Sequence, residues 1–276
     1  MNMIEVAKAI VVGVVQGITE WLPISSTGHM ILLDEFMKLD VTKTFLDMFL
    51  VVIQLGSILA VVCLYFHELN PFSSKKNAHD RKETISLWLK VAVGCLPAAV
   101  IGFLFDDIIH EKLYNSITVA MTLIFYGVAF ILIEKQNRVC PIENLRNLDY
   151  KTAFLIGVFQ VLALVPGTSR SGSTIIGASI LGASRSVAAE YSFFLAIPVM
   201  FGASGFKLLK YILKVGLSFS FTELGILFFG MLVAFLVSVW AIKFLMSYIQ
   251  KHDFKAFGYY RIVLGMLVLL YFLVLK

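Results

Sequence analysis

Long runs of apolar residues, separated by short polar stretches, dominate the sequence. A helix that crosses a membrane needs about 20 mostly apolar residues, and six runs come close to that length. The runs are continuous, whereas the strands of a membrane β-barrel alternate between apolar and polar positions. The pattern therefore predicts an all-α polytopic membrane protein with six transmembrane helices. The predicted spans are 45–66, 88–105, 117–133, 186–206, 222–246 and 261–275.

Two further apolar regions are too short to span a membrane, and each is interrupted by a polar loop. Residues 9–22 lead into PISSTGH at 23–29, and residues 153–165 lead into PGTSRSGST at 166–174. Each region predicts two short helices joined by a loop of glycine, serine and proline. Lipid cannot satisfy the backbone polar groups of such a loop, so at membrane depth protein or a water-filled cavity must surround it. We therefore predict two re-entrant helical hairpins.

The two predicted hairpins resemble each other in sequence. Residues 13–16 (GVVQ) recur as residues 157–160 (GVFQ), 144 positions later, and Pro23 and Pro166 are 143 positions apart. Each hairpin also precedes three predicted spans, which indicates an internal duplication. With the one-residue gap, the alignment pairs Ser25-Ser26 with Thr168-Ser169.

The basic residues predict how the two repeats, 1–135 and 150–276, are oriented within a single membrane domain, 1–276. Cytoplasmic loops of membrane proteins are enriched in lysine and arginine. Three basic loops place both termini outside and make the repeats inverted, with the binding site near the bilayer midplane, where the repeats meet. The loops are 67–90, 134–151 and 247–260. Their markers are Lys75, Lys76, Arg81, Lys82, Lys90, Lys135, Arg138, Arg146, Lys151, Lys243, Lys251, Lys255 and Arg261.

The composition excludes a soluble protein. Hydrophobic residues make up 59% of the chain and charged residues 15%, and the mean hydropathy is +0.88. A soluble domain is about 45–50% apolar and about 25% charged. The net charge of +5 is explained by basic residues that flank membrane spans, so no nucleic-acid partner is expected.

Two ionisable residues, Glu20 and Arg170, lie in the predicted hairpins. An ionisable side chain at membrane depth costs about 2.5–3.5 kcal/mol on insertion scales, so we expect these two to be paired, solvated or both. A purely structural pair that locks the two repeats together would explain both charges. It would not explain the surrounding hydroxyls, the glycines or His29.

The polar loops have the residue types of a phosphate site. Glycine and serine at helix ends present backbone N–H groups and hydroxyls to an anion, and the arginine fork of Arg170 suits phosphate. His29 follows Ser26 by three residues, which favours acid, base or nucleophilic chemistry over a merely buried histidine. The candidate phosphate-binding residues are Ser25, Thr27, Ser169, Ser171, Gly172 and Thr174.

Two motifs carry a resemblance to a known family. Residues 16–29 (QGITEWLPISSTGH) resemble the (Glu/Gln)-x-x-x-Glu motif of the bacterial undecaprenyl-diphosphate phosphatases, also called bacitracin-resistance phosphatases. Residues 166–174 are similar to the family's Pro-Gly-x-Ser-Arg-Ser-x-x-Thr motif. The resemblance implies hydrolysis of undecaprenyl diphosphate, which recycles the lipid carrier for cell-wall synthesis and confers bacitracin resistance. It also implies a multi-pass protein of the bacterial plasma membrane whose site opens to the outer face.

The resemblance implies Glu20, Ser26, His29 and Arg170 as active-site residues. Gln16 fills the variable position of the first motif, and an amide cannot replace a carboxylate as a ligand for a hard cation. Mg²⁺ or another divalent cation is compatible with Glu20 together with substrate phosphates, but is not required.

Our sequence-based hypothesis takes Ser26 as the nucleophile and His29 as its base. Glu20 then orients His29 or binds the cation. A phosphohistidine on His29 and direct attack by water are the open alternatives.

The rival function class is a secondary transporter or a lipid-carrier flippase, because inverted repeats with broken helices are what such proteins use. The expected partners are a polyprenyl diphosphate lipid and the membrane. The small residues at 202–205 are also compatible with helix packing in a homodimer.

Overall fold

The computed structural model describes residues 2–136 and 139–275; Arg138, used above as a loop marker, lies outside them. Within the described ranges the chain is helical and contains no β-strand. Twelve α-helices follow one another in the described part of the chain. They are α1 Met3–Thr19, α2 Ser26–Phe36, α3 Lys43–Val52, α4 Gln54–Leu64, α5 Phe66–Leu69, α6 Ala78–Leu113, α7 Ser116–Lys135, α8 Tyr150–Val161, α9 Arg170–Ile180, α10 Arg185–Val215, α11 Phe221–Ile249 and α12 Lys255–Leu270.

Among the residues that the structure describes, six helical segments are long and apolar enough to cross a membrane, which confirms the predicted number. Two of them begin well before the predicted start, at Ala78 and at Lys255. At Ala78 the Asn77 side chain caps the helix, so polar turns continue the helix beyond its apolar part. The segments are Lys43–Leu64, Ala78–Phe105, Ser116–Lys135, Arg185–Val215, Phe221–Ile249 and Lys255–Leu273.

Two of the basic loop markers are buried inside helices. Lys90 is buried in α6 and donates hydrogen bonds to the carbonyl oxygens of Leu145, at 3.4 Å, and Arg146, at 3.3 Å. Arg261 is fully buried in α12. Their use as markers of water-exposed loops was wrong, because each charge is satisfied by backbone carbonyls instead of solvent.

Helices α1 and α2 form a hairpin, and side-chain contacts join the start of α1 to the residues that follow α2. The backbone N–H of Asp40 donates to Glu5 Oε2 at 2.8 Å, and Lys8 Nζ donates to the Lys38 carbonyl at 2.7 Å. Helices α8 and α9 also pack against each other. The pairs α1–α2 and α8–α9 are the helix pairs expected of two re-entrant hairpins. Their depth in the membrane stays a prediction.

The breaks in the two hairpins share an unusual backbone conformation. Ser25 and Ser169 have φ values of 73° and 72°, and they are the non-glycine residues with positive φ in the described part of the chain. Each caps the following helix: the Ser25 hydroxyl accepts from the N–H of Gly28 at 3.3 Å, and that of Ser169 from Gly172 at 3.1 Å. The structure thus matches Ser25 with Ser169, which corrects the alignment of Ser25-Ser26 with Thr168-Ser169 by one residue. It also supports the predicted duplication.

Glycines sit where the helices cross most closely. A Cβ atom at Gly13 of α1 would lie 2.6 Å from a carbonyl oxygen of α11, and one at Gly157 of α8 would overlap the backbone of α6. The matched positions of these two glycines in the repeats again favour duplication. Helices α7 and α12 cross at Gly127 and Gly258, where each glycine faces the other's carbonyl oxygen.

Replacing Gly127 with Ala should destabilise the contact between α7 and α12. The new Cβ would lie 2.7 Å from the Gly258 carbonyl oxygen, and overpacking of this kind costs about 1–3 kcal/mol. The midpoint of thermal unfolding in detergent should fall. Gly102→Ala is the matched control, because a Cβ there would make only an ordinary contact, 3.5 Å from Leu164 Cδ2. Equal midpoints for the two variants would refute the close crossing.

Candidate active site

The carboxylate of Glu20 is the centre of a polar cluster between the two hairpins. Glu20 follows the last turn of α1 and is only 7% exposed. Its Oε2 accepts hydrogen bonds from Gln16 Nε2 at 3.0 Å and from Ser26 Oγ at 3.1 Å. Its Oε1 lies 3.3 Å from Arg170 Nη2, which confirms the expected pairing of these two charges. An amide, a hydroxyl and a guanidinium thus converge on one carboxylate.

Arg170 is the first residue of α9 and is held from several sides. Its Nη1 donates to the Ser192 carbonyl oxygen of α10 at 2.8 Å, and its guanidinium lies 5.8 Å from the centre of the Trp21 ring. These contacts fix the orientation of the guanidinium. Its positive charge is therefore held where the two hairpins meet and does not turn toward solvent.

The N-termini of two helices meet at this cluster. Helix α2 begins at Ser26 and α9 begins at Arg170, and both residues contact Glu20. The N-terminus of a helix carries a partial positive charge and unpaired backbone N–H groups, which favour a bound anion. The predicted phosphate cradle is therefore consistent with the arrangement of both loops.

Several of the predicted phosphate-binding residues also have structural contacts. The hydroxyls of Ser25 and Ser169 cap α2 and α9, so each hydroxyl oxygen already accepts a hydrogen bond from a backbone N–H group. Thr174 donates to Ser192 Oγ at 2.7 Å. Ser171 Oγ donates to the Glu20 carbonyl at 3.2 Å and joins the two loops. Thr27 and Arg170 are partly exposed, whereas Gly172 is buried.

His29 does not contact Ser26 or Glu20 through its ring nitrogens. Its Nδ1 lies 2.7 Å from the Ser25 carbonyl oxygen, and its Nε2 lies 2.6 Å from the hydroxyl of Tyr260. The expectation that Glu20 orients His29 was wrong, because the Ser25 carbonyl one turn earlier captures Nδ1. The carboxylate contacts Ser26 instead, which makes Glu20 the nearer base for that hydroxyl.

Arg261 joins the two hairpin loops, and sequence reasoning missed this role. Its side chain donates to the carbonyl oxygens of Pro23 at 3.2 Å, Gly167 at 2.9 Å and Thr168 at 2.9 Å. Its guanidinium also lies 5.6 Å from the centre of the Tyr126 ring. The signal was an arginine at the very start of an apolar run, which we interpreted as a marker of membrane orientation.

The sequence matches a protein family over most of its length. Residues 9–267 match the family described as "Bacitracin resistance protein BacA". The chain belongs to this family. The matched range of the BacA family includes the whole junction, from Gln16 to Arg261.

Three similar proteins bear the name undecaprenyl-diphosphatase. The one from Enterococcus faecalis is 59% identical over 268 residues, covering 96% of this chain and 97% of that protein. The one from Acetivibrio thermocellus is 59% identical over 276 residues, covering 99% of this chain and 100% of that protein. The one from Desulfitobacterium hafniense is 57% identical over 275 residues, covering 99% and 98%.

The donor set of this BacA-family site does not fit a resident metal ion. Glu20 is the single carboxylate of the cluster, and both of its oxygens already contact Gln16, Ser26 or Arg170. Among the residues whose positions are described, no group of three or more His, Cys, Asp or Glu side chains could hold a metal. A divalent cation here would need substrate phosphates and water for most of its ligands.

Proposed function

We propose that this protein hydrolyses undecaprenyl diphosphate to undecaprenyl phosphate and inorganic phosphate. The observation that carries the proposal is the shared contact of Ser26 and Arg170 with Glu20, where two helix N-termini meet. This arrangement places a nucleophile, a base and a cation around a position suited to phosphate. The names of the similar proteins, quoted above, give the same activity.

The terminal phosphoryl group transfers to Ser26. Its Oγ bonds to the terminal phosphorus as the bond from that phosphorus to the bridging oxygen breaks, and the hydroxyl proton passes to Glu20. Undecaprenyl phosphate leaves with the bridging oxygen. Arg170 and the two helix N-termini stabilise the negative charge on the transferred group, which is the main source of catalysis in phosphoryl transfer.

Water then releases the phosphate. It replaces the Ser26 oxygen on phosphorus and returns one proton to that oxygen, and the proton held by Glu20 leaves with the products. His29 lies one turn after Ser26 on α2 and serves as the base that activates this water. Phosphate trapped on His29 in a rapid-quench experiment would overturn the choice of Ser26.

The protein acts in the bacterial plasma membrane, where it recycles the lipid carrier for the cell wall and confers bacitracin resistance. Its site opens to the outer face between two inverted repeats, 1–135 and 150–276. The Asn2 N–H donates to Thr222 Oγ1 at 3.0 Å, so the start of the first hairpin lies beside the start of α11. The start of α11 is outside in the orientation predicted from the basic loops, which supports this part of the proposal. A homodimer remains a proposal that rests on the small residues at 202–205.

The purified protein in detergent should release inorganic phosphate from undecaprenyl diphosphate. Detergent removes the two compartments that transport needs, so this assay separates a hydrolase from a secondary transporter or a flippase. Equal amounts of phosphate and undecaprenyl phosphate are expected. No release in detergent, combined with movement of the lipid across reconstituted vesicles, would favour the transporter.

A further inference from the structure

Tyr260 reaches the candidate site from α12 and contacts His29. Its hydroxyl lies 2.6 Å from His29 Nε2, and the two rings are nearly parallel, at 5°, with centroids 5.6 Å apart. The contact joins residues 231 positions apart in the chain. Tyr260 is 46% exposed, so this contact lies at the open side of the junction, whereas the side chains of Arg170 and Glu20 are only 11% and 7% exposed.

The position of Tyr260 is fixed by its neighbour in the chain. Arg261 is completely buried and donates to carbonyl oxygens of both hairpin loops. Since successive residues of a helix differ by about 100° in direction, α12 presents Arg261 to the loops and Tyr260 to the ring of His29. The same turn of α12 therefore fixes the position of the His29 imidazole relative to the two hairpin loops.

The hydrogen bonds of His29 determine which nitrogen carries its proton. A carbonyl oxygen can only accept, so Nδ1, at 2.7 Å from the Ser25 carbonyl, must carry a hydrogen. In neutral His29 the lone pair is therefore on Nε2, where it accepts from the Tyr260 hydroxyl. When Nε2 takes a proton from water, the hydroxyl turns its own hydrogen away and its oxygen becomes the acceptor. In the imidazolium form Nε2 carries a hydrogen and donates to the same oxygen. A hydroxyl suits both states because it both donates and accepts.

We propose that Tyr260 is a positioning residue that holds His29 with its basic nitrogen, Nε2, at the open side of the site in both protonation states. The kinetic part of this inference rests on the proposed phosphatase function, in which His29 activates water. The contact itself does not depend on that function, so it can be tested separately.

Tyr260→Phe removes the hydroxyl and keeps the ring. We expect kcat for phosphate release to fall about tenfold, which is part of the ~10²–10⁴-fold that a positioned acid or base supplies. KM should stay within about twofold, because no contact with the substrate is removed. Tyr259→Phe is the matched control, since Tyr259 is 56% exposed on the same helix; its kcat and unfolding midpoint should match the wild type.

Chemical modification tests the contact without turnover. Diethyl pyrocarbonate acylates an unprotonated imidazole nitrogen, and mass spectrometry of the peptide that contains His29 reports its rate of modification. We expect faster acylation of His29 in Tyr260→Phe than in the wild type or Tyr259→Phe, because Nε2 loses its partner.

Unchanged acylation and unchanged kcat in Tyr260→Phe, at an unchanged unfolding midpoint, would overturn the assignment. Faster acylation of His29 in Tyr260→Phe, together with no phosphate release by the wild type, would support the contact and reject the proposed function.

Discussion

Arg170→Ala should lower kcat for phosphate release by about 10³-fold, because arginines that stabilise a transferring phosphoryl group contribute ~10³–10⁵ in rate. Its guanidinium is fixed by Glu20, at 3.3 Å, and by the Ser192 carbonyl, at 2.8 Å. Within the described ranges no other arginine is placed to supply a guanidinium at the same point, since Arg261 is already occupied by the loop carbonyls. Release of phosphate from undecaprenyl diphosphate, measured under saturating substrate, gives the loss.

Two further variants separate charge, geometry and folding. Arg170→Lys keeps the positive charge without the planar fork, so its kcat should lie between those of the wild type and Arg170→Ala. Arg146→Ala removes a surface arginine that pairs with Glu83 and should leave turnover unchanged. Since an unpaired buried charge costs about 3–5 kcal/mol, turnover must be measured well below each variant's unfolding midpoint. A folded Arg170→Ala protein with near-normal kcat would remove Arg170 from the mechanism.

Arg261→Met should destabilise the whole junction between the hairpins. Methionine keeps an unbranched apolar stem but has no N–H donor, so it would leave the carbonyls of Pro23, Gly167 and Thr168 without their partner. A buried polar group without a partner costs about 1–3 kcal/mol. The expected result is a large fall in the unfolding midpoint in detergent, with loss of turnover in the protein that stays folded.

Lys255→Met is the control for Arg261→Met. Lys255 lies on the same helix, and its charged group pairs with Asp253 near the surface. This change should alter the unfolding midpoint little, because exposed ion pairs contribute about 0–1 kcal/mol. Similar midpoints for Arg261→Met and Lys255→Met would show that Arg261 does not hold the loops together.

Much of the architecture follows from local sequence. The six spans could be predicted because apolar runs of sufficient length have few alternatives in a membrane protein. The pairing of Glu20 with Arg170 could be predicted from the cost of burying each charge alone. The motif residues at both breaks were found because glycine, serine and proline interrupt apolar runs that otherwise continue.

The contacts made by α12 could not be predicted from a single sequence. Tyr260 and Arg261 contact residues more than 200 positions earlier, His29 of α2 and Pro23 of the first loop, and no local pattern encodes that distance. Arg261 also has the sequence features of an ordinary orientation marker. The expected contact of Glu20 with His29 was wrong for a similar reason. The spacing of Ser26 and His29 along α2 does not determine which of the two side chains contacts Glu20 at the end of α1.

A double-mutant cycle on Glu20 and Arg170 tests most directly whether the tips of both hairpins form one catalytic unit. The measurement is kcat for phosphate release by Glu20→Gln, Arg170→Ala and the combined variant. Residues that act together are strongly non-additive, so the combined variant should lose about as much activity as the more severe single variant. Losses that multiply in the combined variant would contradict a site assembled from both hairpins.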